Sequence, residues 1–241
     1  MAEHAARATG PLVSIVVPAY NEEPTIEEIL RRVSAVAVRK EIVVVDDGST
    51  DRTPAIVEGL LGELPDLRLL VQPENRGKGS AVRRAIAETR GDIVVIQDAD
   101  LEYDPSDIPV LLGPLLDGRA DAVYGTRLRG GRPQRAHLFW HYAGNRFLSL
   151  LTNVLYNTTL SDMEVGYKAF RGDLLRSLDL VSDDFRFEPE VTAKVLRTPG
   201  VRVYEVPVSY YGRTFAEGKK ITWRDGVKAL VAVIRFRFGP R

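Results

Sequence analysis

Four short runs of aliphatic and β-branched residues constrain this chain more than any other feature. They are Leu12–Val17 (LVSIVV), Glu41–Asp46 (EIVVVD), Leu67–Gln72 (LRLLVQ) and Asp92–Gln97 (DIVVIQ). Each is shorter than a stable helix. Each is apolar at consecutive rather than alternating positions, the pattern of a parallel strand covered on both faces. Between them the apolar residues recur at helical spacing: Ile26, Ile29, Leu30, Val33 and Ala37; then Ile56, Val57, Leu60, Leu61 and Leu64 behind a cap at Asp51; then Ala81, Val82, Ala85 and Ile86 over 78–89. A helix near 105–117 and a fifth strand at 120–125 continue the alternation. This succession predicts an α/β protein with a mostly parallel sheet, helices on both faces and right-handed crossovers. In such sheets ligands bind beyond the carboxyl ends of the strands. The residues that follow each strand are therefore the candidates for chemistry.

After the fifth strand the pattern changes. Residues 126–136 (TRLRGGRPQRA) read as a long mobile loop, and 137–157 as a helix carrying Phe139, Trp140, Tyr142 and Phe147. Strand-like segments at 163–170 and 201–211 flank a helix that begins near Glu188, where Glu190 in the first turn complements the dipole. Residues 222–238 form an amphipathic helix. The division expected is a flexible terminus at 1–11, one domain over 12–221 and the C-terminal helix at 222–241.

With 241 residues the chain can bury a substantial core. It has no Cys, which excludes disulfide scaffolds, thiolate nucleophiles and iron–sulfur clusters, and its three His at 4, 137 and 141 argue against a His-rich metal site. Net charge is zero, but unevenly spread. Residues 1–120 carry 13 Lys/Arg against 21 Asp/Glu, and 121–241 carry 20 against 12, so a half at −8 precedes a half at +8. A cation site in the first half and an anion contact in the second fit that asymmetry. Nucleic acid does not, since the basic half holds no reading module. No signal peptide pattern and no apolar run of about 20 residues occurs. The expected location is cytoplasmic, peripheral on the inner face of the membrane.

The first strand ends in Pro18-Ala19-Tyr20-Asn21-Glu22-Glu23, the second in Asp46-Asp47-Gly48-Ser49 and the fourth in Asp98-Ala99-Asp100-Leu101-Glu102. Singly these are turn and capping chemistry. Together they crowd carboxylates on one rim, which repel unless a cation or ligand offsets them. An Asp-x-Asp pair plus diphosphate oxygens suits Mg²⁺ or Mn²⁺.

The motifs PAYNE, VVDDGS, GKGSA (77–81), DAD and GTR (125–127), in this order, resemble the inverting family-two glycosyltransferases with the GT-A, Rossmann-like fold. DADLEYDP (98–105) and YYGRTFAEGKK (210–220) narrow the resemblance to the dolichol-phosphate mannose synthase and polyprenyl-phosphate glucosyltransferase branch. The resemblance implies a hexose moved from GDP-mannose or UDP-glucose to polyprenyl phosphate. It implies nucleotide contacts at Pro18, Tyr20, Glu22, Asp47, Lys78, Asp98 and Ala99, and metal ligands at Asp98, Asp100 and Glu102. Glu102 stands where relatives often have Gln and is expected to strengthen metal binding. Lys78 stands where many have an uncharged residue. Arg213 and Lys219 match a flap that closes on the diphosphate, with Gly218 in place of a Ser and Lys220 as an extra cation. Arg127 matches an arginine brought to phosphate, with Arg129, Arg132 and Arg135 nearby on the loop. Asp162, before Gly166-Tyr167-Lys168, is expected to orient the acceptor, act as base or pair with Lys168. Glu188 is a further candidate.

Two rivals stand beside this reading: transfer to a hydroxyl, which needs a strong base and makes Asp162 essential, and a non-catalytic surface-binding module of the same fold. A nucleotidyltransferase is excluded because PAYNEE is not a Gly-rich phosphate loop. The last helix carries Trp223, Val227, Leu230, Val231, Ile234 and Phe238 among Arg224, Lys228, Arg235, Arg237 and Arg241, the composition of an interfacial helix.

Overall fold

The central strand β1 (Val13–Ala19) is paired in parallel on both sides, with β2 (Lys40–Asp46) and with β4 (Ile93–Ile96). The structure is a computed structural model that describes residues 10–136, 139–213 and 223–239. Beyond β2 lies β3 (Leu67–Val71). Beyond β4 lie β6 (Lys168–Arg171), β5 (Ala122–Thr126) and β7 (Val203–Pro207), which gives the order β3-β2-β1-β4-β6-β5-β7. Among the described residues this is one seven-stranded sheet in which β6 alone runs against its neighbours. The β-branched runs explain the strands: Ile15, Val16, Val17, Val43, Val44, Val94 and Val95 are fully buried, as consecutive apolar residues must be when both faces are covered.

Eight helices flank the sheet among the described residues: α1 (Ile26–Ala35), α2 (Thr53–Leu60), α3 (Lys78–Glu88), α4 (Ile108–Leu116), α5 (Phe139–Tyr156), α6 (Gly172–Ser177), α7 (Phe187–Arg197) and α8 (Trp223–Phe238). They form three packed sets. Helix α1 touches α2 and the 3₁₀ turn Pro105–Asp107, which touches α4; α3 touches α6, and α5, α7 and α8 pack together. The expected alternation is therefore observed. Helix ends come earlier than the apolar spacing predicts. Ala37 and Leu61 lie outside their helices and are exposed. Asp51 does hold the start of α2, accepting from the Thr53 N–H at 2.9 Å. The segment 163–170 is strand only from Lys168, and the helix near 105–117 starts with a 3₁₀ turn.

One expectation is corrected. The loop 126–136 is docked: Gln134 bridges to Tyr210, and the Arg135 N–H donates to the Tyr210 carbonyl at 3.0 Å. Its arginines have protein partners, Arg129 with Glu205 at 3.1 Å, Arg132 with Asp107 at 3.4 Å and Arg135 with the Gly212 carbonyl at 3.1 Å. The C-terminal helix α8 has one packed face and one exposed face. Ala229, Ala232, Val233 and Phe236 bury one face of α8 against α5 and α7, whereas Val227, Val231, Ile234 and Phe238 of the expected stripe face outward.

Glu190 does more than complement a dipole. Fully buried, it accepts from the Val181 and Ser182 N–H groups at 2.8 and 2.7 Å and pairs with Lys194 at 2.8 Å. It thereby fixes the segment whose Asp183 carbonyl accepts from the Ser80 N–H at the start of α3. Burial alone would raise Glu190, but Lys194 and the backbone donors outweigh it and hold the carboxyl below its ordinary range. Glu190→Ala should cost about 3 kcal/mol at neutral pH, the scale of a buried pair broken on one side. A lowered folded pKa means that this contribution is present above the ordinary carboxylate range and is lost as pH falls through the folded value. Urea unfolding at pH 7 and pH 3 measures both, as a lower midpoint with unchanged slope that converges at acid pH.

Candidate active site

Because six strands point the same way, their carboxyl ends share one rim, and the reversed β6 brings its preceding loop, 160–167, to that rim too. Along it lie Asp47 after β2, Glu22 after β1, Asp98 to Glu102 after β4, Asp162 to Gly166 before β6, Arg127 after β5 and Tyr210 after β7.

Asp47 is spent on its own scaffold. One oxygen accepts from the Arg76 N–H at 2.9 Å and Gln72 Nε2 at 2.6 Å; the other accepts from the Gly77 N–H at 2.8 Å. These bonds turn the chain into α3. Only glycine suits the turn at Gly77, where φ is +100° and a Cβ would lie 2.5 Å from the Asp183 carbonyl oxygen.

Glu22, Asp98, Asp100, Glu102 and Asp162 each have a cation. Arg213 reaches Glu22 at 3.1 Å, Asp100 at 2.9 Å and Glu102 at 3.8 Å. Glu102 also accepts from the Arg213 N–H at 2.7 Å and from the Tyr210 hydroxyl at 3.0 Å. Lys78 lies 2.7 Å from Asp98 and 3.2 Å from Glu188, with its side chain 16% exposed, so it is an internal cation rather than a surface lysine. Burial opposes its charge, yet Asp98 and Glu188 raise its pKa above the usual lysine value. Glu188 also pairs with the fully buried Lys168. The expected Asp162–Lys168 pair is absent. Asp162 instead grips Arg127 in a fork, at 2.6 Å to Nε and 2.7 Å to Nη2, and the Arg127 guanidinium lies 5.0 Å from the centre of the Tyr210 ring.

These groups line a cavity of about 690 Å³. Pro18, Tyr20, Glu22, Asp47, Lys78, Asp98, Ala99, Asp100, Glu102, Arg127 and Arg213, all candidates from the sequence, line it. Asp162 is not among the lining residues; it is fully buried behind Arg127. Lys219 and its neighbours Gly218 and Lys220 lie outside the described residues. Tyr103, Glu164, Gly166, Phe185 and Tyr210 line the cavity without having been singled out, and so do Trp140, Leu148 and Ala229 of α5 and α8. Gly166 sits so close that a Cβ there would come within 2.3 Å of an Asp98 oxygen. The Gly-Tyr-Lys step was the available signal for it.

The carboxylates fit a divalent cation in part. Among the described residues no three His, Asp or Glu side chains are arranged as a metal cluster, and Glu102 already accepts from the Tyr210 hydroxyl and the Arg213 N–H. Asp98 and Asp100 remain, and two hard carboxylates completed by diphosphate oxygens are a sufficient protein set for Mg²⁺ or Mn²⁺. Asp100 carries the corresponding strain: burial and the carboxylates of Asp98 and Glu102 push it up to about 7, against the pull of Arg213. Its ionisation therefore opposes folding. A raised folded pKa means that the penalty is absent below the unfolded value and grows as pH rises through the interval between the two. In metal-free protein, Asp100→Asn should gain thermal stability relative to the parent as pH rises from about 4 to about 7. Melting curves across that interval check the sign.

Comparison with known proteins agrees with this geometry. The pattern described as glycosyl transferase family 2 matches residues 14–178. The undecaprenyl-phosphate mannosyltransferase of Micrococcus luteus is 30% identical over 241 residues, covering 95% of each chain. The low-salt glycan biosynthesis hexosyltransferase of Haloferax volcanii is 31% identical over 207 residues, covering 84% of this chain and 48% of that protein. The dodecaprenyl-phosphate galacturonate synthase of Rhizobium johnstonii is 29% identical over 212 residues, covering 86% and 61%. This chain thus spans about half the length of some curated relatives and nearly all of another. Among solved structures, glucosyl-3-phosphoglycerate synthase from Mycobacterium tuberculosis, in complex with Mn²⁺, UDP and phosphoglyceric acid, superposes with a TM-score of 0.75 at 26% identity, over 99% of this chain and 82% of that one. The chain belongs to glycosyl transferase family 2, and its sheet is that of a GT-A glycosyltransferase.

Proposed function

We propose that this chain transfers a hexose from GDP-mannose or UDP-glucose to the phosphate of a polyprenyl phosphate, at the cytoplasmic surface of a membrane. One observation carries the reading. A single cavity joins the acidic rim at Asp98 and Asp100 to Trp140, Leu148 and Ala229 on α5 and α8. The outer faces of those helices expose Phe139, Trp140, Phe147, Val154, Val231 and Phe238, with Trp140 80% and Phe238 74% exposed. The exposed Arg146, Arg224, Lys228 and Arg235 add cationic charge around them. An apolar face with a basic border suits an anionic lipid surface, where each cation contributes roughly 1 kcal/mol. The relatives from Micrococcus and Rhizobium are named for polyprenyl phosphates, which supports the same acceptor.

Asp98 and Asp100 would hold Mg²⁺ or Mn²⁺, which when bound supplies a Lewis acid at the leaving diphosphate. The chain's own cations do the rest. Arg213, already between Glu22 and Asp100, exchanges a carboxylate for a diphosphate oxygen, and Lys219 joins it from the following segment. Pro18 and Tyr20 face the nucleoside. Arg127, aimed by Asp162, holds the acceptor phosphate. With a second pKa of about 6, a phosphate monoester is largely dianionic near neutrality. Its oxygen bonds to the anomeric carbon as the bond to the diphosphate breaks, the electron pair leaving with the diphosphate and the configuration inverting. No strong base is needed, in keeping with Asp162 being buried and committed to Arg127.

The direct test supplies purified protein with each nucleotide sugar, Mn²⁺ and vesicles containing undecaprenyl phosphate. Radiolabelled lipid is expected; label found only on soluble hydroxyl acceptors would replace this reading with the hydroxyl one. Asp162→Asn and Arg127→Ala should impair transfer together, because each removes the same fork. A dead Asp162→Asn beside a nearly normal Arg127→Ala would make Asp162 a base, since general-base assistance contributes about 10²–10⁴-fold. At the membrane face, Phe147→Glu with Val231→Glu should lower vesicle binding by on the order of tenfold or more, given ~0.8 kcal/mol per buried methylene. Turnover of a short, water-soluble prenyl phosphate should be unaffected, as vesicle sedimentation and parallel rate assays would show.

A further inference from the structure

Glu164 is the odd carboxylate of the cavity. Asp98 is held by Lys78, Glu188 by Lys78 and Lys168, and Asp162 by Arg127. Four carboxylates thus face three cations here, and Glu164 is left over: it lines the cavity and its Oε1 is buried with no hydrogen-bond partner. A buried acceptor without a donor is costly, so a ligand that brings a donor gains by filling the gap. An anionic group is unsuited to this place, because it would meet a surplus of negative charge. A neutral, hydroxyl-bearing ring is suited to it. The position agrees. Glu164 lies two residues before Gly166, where a Cβ would come within 2.3 Å of an Asp98 oxygen, and it lines the same cavity as Asp98. Burial and the carboxylates of Glu188 and Asp162 push Glu164 up to about 7, against Lys168 and Arg127, so that near neutrality the group both accepts and donates.

We propose that Glu164 is a specificity residue that hydrogen-bonds a hydroxyl of the transferred sugar; this rests on the glycosyl-transfer reading above and names the part of the cavity where the hexose sits. The test is titration calorimetry with Mn²⁺, using UDP-glucose, GDP-mannose, each of their monodeoxy-sugar derivatives, and UDP and GDP alone. The proteins are the parent, Glu164→Gln and Glu164→Ala. For the preferred donor, removing one hydroxyl should weaken binding to the parent about 10- to 100-fold, the range of a hydrogen bond to a charged group. In Glu164→Ala that penalty should vanish while penalties at other hydroxyls persist, and Glu164→Gln, which keeps an acceptor oxygen, should retain part of it. The nucleoside diphosphate should bind all three proteins alike. Equal deoxy penalties in the parent and both variants would overturn the proposal. So would a loss of nucleoside diphosphate binding equal to the loss of sugar-nucleotide binding in the conservative Gln variant. If the parent binds neither nucleotide sugar, the donor reading falls and the role of Glu164 with it. Binding with an unchanged deoxy profile removes Glu164 alone.

Discussion

The crowding of carboxylates at the ends of parallel strands is the constraint around which this molecule is arranged. Removing charge from water is costly, and it is tolerated only where a partner of opposite sign is held in good geometry. Here the partners come from far along the chain. Arg213 reaches back to Glu22 and Asp100, and Glu188 reaches back to Lys78. The acidic first half and basic second half are thereby joined at the site itself, so folding and site assembly are one event. Such pairs are weak contributors to net stability, yet breaking one leaves an uncompensated buried charge. They leave the rim a fixed array of acids and cations, the template on which the proposed sugar nucleotide would be read.

The same pairs explain how a site can be closed upon itself and still bind. Arg213 bridges three acids, so a diphosphate competes for a cation that the rim already holds. A divalent ion at Asp98 and Asp100 would compensate the acids that give it up. Asp162 is the contrasting case: its fork with Arg127 is buried and two-pronged, and it fixes the direction of one guanidinium.

Much of this was legible in the residues. Consecutive Val and Ile in 12–17, 41–46 and 92–97 report strands covered on both faces, and the polar residues after them report the rim. The cavity residues from Pro18 to Glu102 follow from those two facts. What local pattern could not convey was partnership. Nothing near Lys78 announces Glu188, which lies over a hundred residues away, and nothing near Glu102 announces Tyr210. Glu102 shows the same gap: its partners Tyr210 and Arg213 come from the segment after β7, more than a hundred residues away. Strand β6 was legible as part of the segment 163–170, but neither its antiparallel direction nor its place between β4 and β5 could be read from four residues. On α8, the larger apolar residues read as an interfacial stripe do face outward, and what that reading left out is the packed face made by the small Ala229 and Ala232 with Val233 and Phe236.

The insertion of β6 between β4 and β5, although it follows both in the chain, bears on synthesis. As the polypeptide emerges, residues through β4 can form the β3-β2-β1-β4 half with its parallel crossovers complete. Strand β5 cannot dock beside β4, because its neighbour there has not been made. Until residue 171 is available the β4 edge stays unpaired, lined by Ile93, Val94, Val95 and Ile96. An open, flat, apolar edge is a template for pairing with another chain. A nascent or truncated form ending between β5 and β6 is thus the species most exposed to aggregation, and the antiparallel strand that brings Glu164 and Gly166 to the cavity is also the one that seals the sheet.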